Sequence, residues 1–136
     1  MNYVGEIEAF TQTVIDKVAR EVQSVFGPIP LYREVYGDDR HIHGAIILIS
    51  ENLAEELIEG TFHVIFKNKN TVTILIDISV FEGVILSEIL NKEIKYEDVK
   101  DMCGMVEEAI LENSEKLQND FIRLIPVYSG NCIKNG

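Results

Sequence analysis

With 136 residues, 46% of them hydrophobic and 26% charged, the chain is long enough for one domain with one core and too apolar to stay disordered. Twelve Lys and Arg face twenty-three Asp and Glu, for a net charge of −11 and a pI near 4.6. This excludes a nucleic-acid partner, whose phosphates need clustered cations, and disfavours an anionic membrane surface.

No apolar run reaches the ~18–20 residues needed to span a bilayer, so no membrane segment is expected. The start, MNYVGEIEAF, lacks the basic residues and apolar centre of a secretory signal, and a cytoplasmic protein is the expectation. Cys103 and Cys132 lack a partner motif and read as reduced thiols rather than a disulfide framework.

Residues 3–26 form the first predicted helix, because Ile7, Phe10, Val14, Val18, Val22 and Val25 step by three and four. Gly27-Pro28 supplies its stop. Pro28 and Pro30 force an extended segment, and Leu31, Arg33 and Val35 suit a short edge strand before a turn at 37–39. The run HGAIILI, residues 43–49, has the near-continuous hydrophobicity of a central strand.

Asn52 and Glu55 have the spacing of a capping box, which predicts a short helix ending at Gly60. Residues 61–67 alternate, Asn68-Lys69-Asn70 is turn chemistry, and 71–78 is β-branched, which together predict a hairpin. Ser79 and Glu82 form a second capping box, predicting a helix over 80–91 with Phe81, Val84, Ile85 and Ile89 inward.

From Glu97 a long amphipathic helix is predicted, running through Leu117. Val99, Met102, Cys103, Val106, Ala109, Ile110 and Leu117 make its buried stripe. Asp101, Met105, Glu108, Glu112 and Glu115 recur at the same steps on the other side. Residues 121–128, FIRLIPVY, alternate and predict a final strand before Ser129-Gly130. The expected fold class is α+β, a single domain over 1–136, with a mostly antiparallel sheet covered on one face by the first and last long helices.

His41 and His43 lie on one side of an extended segment behind Asp38 and Asp39, which can begin a metal site. His63 is the only other histidine and falls inside a predicted strand, so no third ligand is evident and no metal is assigned. Cys103 sits on an apolar stripe, where a thiol is inert. GxSxG, P-loop, GxGxxG and CxxC patterns are absent from the sequence, and no cofactor is expected. Glu107, Glu108 and Glu112 carry carboxylates, but a helix-face Glu without a pocket is not poised for acid–base work.

The order and texture of the chain resemble the CheC/CheX family of chemotaxis phosphatases. The first helix is followed by an apolar strand from Gly44 and a second from Gly60. Then come a short helix over Val84 to Leu90, a polar linker at Glu97-Asp98-Val99, the long helix, and a final strand that ends in Ile125-Pro126-Val127-Tyr128-Ser129-Gly130. The resemblance implies a CheX-like fold, a homodimer, and a response regulator's receiver domain as protein partner.

In that family a Glu and an Asn one helical turn apart engage the phosphorylated regulator, the Asn positioning water. Here those places hold Met105 and Glu108. A carboxylate offers only acceptors at neutral pH and repels a phosphoryl group, and a thioether cannot pair with a lysine. The expectation is a non-catalytic relative that binds a receiver domain or other signalling protein through Asp101, Met105, Glu108, Glu112 and Glu115. The alternatives are an aspartyl-phosphate phosphatase using other carboxylates, and a structural or dimerisation protein.

Overall fold

The computed structural model describes residues 3–50, 56–80 and 83–128. The first helix, α1 (Tyr3–Phe26), buries Ile7, Val14, Val18 and Val22 of its predicted stripe, together with Thr11, Ile15 and Ala19, whereas Val25 near its end is exposed. It ends at Gly27, whose φ of 80° suits a residue without Cβ and whose N–H donates to the Gln23 carbonyl at 2.8 Å.

Five strands follow as an antiparallel meander: β1 (Leu31–Gly37), β2 (His41–Ile49), β3 (Glu56–Asn68), β4 (Thr71–Val80) and β5 (Val84–Lys95). Spatial order equals chain order, so β1 and β5 are the edges. The 61–78 hairpin forms as expected, with Asn68 opposite Thr71 and the Asn68 side chain accepting the Asn70 N–H at 3.0 Å. The β1–β2 turn is closed by Asp38, whose carboxylate accepts the N–H groups of Arg40 and His41.

The last element, α2 (Val99–Tyr128), begins after Asp98, whose carboxylate accepts the Lys100 N–H at 2.7 Å. Met102, Cys103, Val106, Ala109, Ile110 and Leu117 are buried as the spacing predicts, but Val99, at the helix start, is exposed.

Both helices lie on one face of the sheet. A Cβ on Gly44 in β2 would meet Thr11 and Ile15 of α1 at 2.7 and 2.8 Å, and one on Gly60 in β3 would meet Leu117 and Phe121 of α2 at 3.4 and 3.5 Å. The core is the space between: Ile42, Ile46, Phe62, Ile74, Ile76 and Ile78 point from the sheet into the two helix stripes.

Three predicted elements are corrected. Residues 80–91 are not a helix: Val80 ends β4, and Val84 onward is β5, paired with β4 along its length. The β-branched residues and the long partner strand outweigh the Ser79–Glu82 capping pattern, of which Glu82, like Phe81, lies outside the described residues. The short helix ending at Gly60 gives way to strand over 56–60, bonded to β2 and β4 on both sides. The Asn52–Glu55 capping box lies outside the described residues.

Residues 121–128 are helical, not a strand. Phe121, Leu124 and Ile125 follow Leu117 at steps of four, seven and eight and continue its buried stripe. Pro126 is tolerated close to the end of the helix, where it removes a single backbone donor. The α+β class and the one-sided helix layer stand, with a fully antiparallel sheet. None of the described helices is long and apolar enough to cross a membrane.

Candidate functional site

Two places bring reactive side chains together. The first is the outer flank of α2. Asp101, Met105, Glu108, Glu112 and Glu115 are all exposed there. Because β5 is an edge strand, the flank does not run over open sheet but beside that edge.

Between them lies a groove of about 380 Å³, walled by Lys92, Glu93, Ile94 and Lys95 of β5 and by Met105, Glu108, Ala109 and Glu112 of α2. A second depression, of about 460 Å³, continues it toward the helix start and is lined by Asn70, Lys95, Tyr96, Glu97, Asp101 and Met105. Met105 and Lys95 belong to both.

Four of the five predicted face residues therefore border one continuous feature. Glu115 does not: it lines a separate depression between the helices with Lys17, Glu21 and Leu111. Lys92 and Lys95 are new members, hidden from the sequence because the helix expected over 80–91 leaves them outside any predicted strand. They place two ammonium groups against the acidic helix face. Carboxylates, ammonium groups and one thioether are a set that recognises a mixed-charge protein surface.

Glu107 is not part of this face. It packs toward α1, where burial, then the nearby Glu6, raises its carboxyl pKa. Cys103 sits beside it, 2% exposed, with its thiol pushed up to about 12, chiefly by burial and then by a hydrogen bond with Glu6. Such a thiol is held in its unreactive form, as the stripe position predicts. Cys132 lies outside the described residues.

The second place is the sheet face opposite the helices. The register pairs His43 of β2 directly with His63 of β3, and puts His41 two residues along β2 on the same face. His41 Nε2 lies 2.9 Å from His63 Nδ1, and His43 Nδ1 lies 3.5 Å from the same atom. One nitrogen from each ring fits within a 4.8 Å cluster.

On its far side, His43 Nε2 lies 3.5 Å from Glu34 Oε1 of β1, and the ring packs against Tyr36 with centroids 5.0 Å apart. Burial lowers the pKa of His43 below its ordinary 6.5, against the opposing pull of Glu34. Burial lowers that of His63 too, reinforced by the other two imidazoles.

The third histidine that the sequence leaves unconnected is thus supplied by strand pairing. The signal was present in part: His43 and His63 fall on predicted strands, but the helix expected between those strands and ending at Gly60 concealed that they pair directly. No protein-family model matches the chain, and no curated protein or solved structure matches it either.

Proposed function

We propose that the chain is a non-catalytic, CheX-like binding module of a signalling system. It holds a partner protein against the outer face of α2 and the neighbouring edge of β5. The observation that carries this reading is the groove itself: Met105, Glu108 and Glu112, at and beyond the places where the resembled family keeps its working pair, form one wall of it.

A response-regulator receiver domain suits this wall. Such domains present a lysine beside an acidic phosphorylation pocket, so Glu108 and Glu112 meet the lysine while Lys92 and Lys95 meet the acids. Catalysis by the family route is not expected, because Glu108 lacks the donor with which an amide orients water and Met105 lacks charge. The homodimer implied by the resemblance belongs to the same proposal, and sedimentation equilibrium of the purified chain measures it.

The test is a binding titration against purified receiver domains, each with and without a phosphoryl mimic. Glu108→Lys is expected to weaken binding at least about tenfold, a loss of ~1.4 kcal/mol, since it puts like charge against the partner's lysine. Phosphate release from the phosphorylated receiver should stay at its spontaneous rate. The double variant Met105→Glu, Glu108→Asn restores the paired groups one turn apart and is the one expected to gain turnover. Robust turnover by the unaltered chain contradicts the non-catalytic reading.

A further inference from the structure

The sheet face that carries no helix holds the chain's three histidines in one cluster. The geometry points to a divalent transition-metal site of the zinc class, ligated by His41 Nε2, His43 Nδ1 and His63 Nδ1, with Glu34 as the carboxylate that orients His43.

The spacing is that of ligands around a small ion. Zinc–nitrogen bonds of about 2.0–2.1 Å in tetrahedral array set ligand nitrogens ~3.3 Å apart. The observed separations from His63 Nδ1, 2.9 and 3.5 Å, bracket that value. All three nitrogens lie within 4.8 Å of one another, so binding also requires His41, the most exposed of the three, to turn from its stacked position on His63 until its Nε2 converges with His43 Nδ1.

The positions are fixed by rigid elements rather than by loops. His43 and His63 are locked by direct cross-strand pairing between two strands that are each paired on both edges. His41 opens β2, and its backbone N–H is held by the Asp38 carboxylate. A site on paired strands keeps its geometry without the ion, which lowers the cost of binding it.

Protonation and tautomer also fit. Metal ligation needs a neutral imidazole with its lone pair facing the ion. Glu34 Oε1 lies 3.5 Å from His43 Nε2, so the tautomer with its proton on Nε2 faces the carboxylate and leaves the Nδ1 lone pair toward the cluster, the carboxylate–histidine–metal arrangement. Without a cation, His41 Nε2 and His63 Nδ1 at 2.9 Å form an imidazole–imidazole hydrogen bond. A cation would take the place of that proton between the lone pairs, and imidazole donors favour zinc, copper and nickel over magnesium or calcium.

The experiment is zinc titration of the full chain after removal of metal by a chelator, followed by calorimetry. A parallel titration with Co²⁺ reads the visible bands of a tetrahedral centre. The expected result is saturable binding of one ion per chain and a rise in thermal midpoint with added zinc. His41→Ala, an exposed substitution that leaves the strand pairing intact, should abolish saturable binding, as should His63→Ala. Glu34→Gln should weaken it about tenfold while keeping the cobalt bands. Circular dichroism of each variant separates lost ligation from lost fold. Absence of saturable binding by the unaltered chain, or undiminished affinity in folded His41→Ala, overturns the site.

Discussion

A thiol that is 2% exposed and hydrogen-bonded to Glu6 has little to gain from ionising. Cys103 sits where α1 and α2 face each other, with Glu6 and Glu107 near it, so a thiolate there would be both desolvated and repelled. Its pKa rises from 9.0 to about 12 in the folded chain. Unfolded chains therefore release a proton that folded chains keep as pH climbs through this range, and the stabilising contribution is full below pH 9.0 and lost toward 12. Denaturant midpoints followed up through that window should fall more steeply for the unaltered chain than for Cys103→Ala. Equal slopes would show that the thiol ionises freely in the fold.

Two glycines make opposite expectations at the same scale. Gly44 faces α1 with Thr11 and Ile15 where a Cβ would be, so Gly44→Ala overpacks the helix–sheet seam and should cost about 1–3 kcal/mol. Gly104 lies on the exposed side of α2 with open space around it, so Gly104→Ala should stabilise by roughly 0.8–1.0 kcal/mol through helix propensity. Chemical denaturation of both variants checks the signs.

At the scale of elements, the chain's legibility depended on whether a segment's spacing was compatible with only one period. In α1 the steps of three and four run from Ile7 to Val25, and the 61–78 hairpin combines alternation with Asn turn chemistry. Each was readable. Residues 84–95 were not: Val84, Ile85 and Ile89 fit a helix as well as a strand, and pairing with β4, a tertiary fact, decides it.

The end of α2 was misread for the converse reason. FIRLIPVY alternates, yet Phe121, Leu124 and Ile125 also continue the stripe of Leu117, and packing on the sheet selects the helix. Substitution separates the two periods. Phe121→Ala, at a fully buried site, should cost about 3–5 kcal/mol, while truncating the exposed Arg123 should cost little. A strand with Phe121 and Arg123 on one face would penalise both. Of the candidate sites, the acidic face of α2 was legible because one helix carries it. Lys92, Lys95 and the three-histidine cluster were not, because each needs the register or neighbourhood of a second strand.

For the whole molecule, the layering decides which surfaces are free to work. The two helices occupy one face of the meander, so among the described residues no helix covers the other face, with its histidines, or the β5 edge beside α2. A net charge of −11 adds a long-range field that draws basic partners and slows acidic ones, so binding through the groove should weaken as salt rises. The metal site and the groove are separate surfaces, and loss of one leaves the other testable.

The most direct test of the docking surface is a nuclear magnetic resonance titration of the isotopically labelled chain with a purified receiver domain, with and without its phosphoryl mimic. Backbone shifts should concentrate at Asp101, Met105, Glu108 and Glu112 of α2 and at Lys92 and Lys95 of β5, and Glu108→Lys should diminish them. Shifts confined to other surfaces, or none with any receiver domain in either state, would contradict the account.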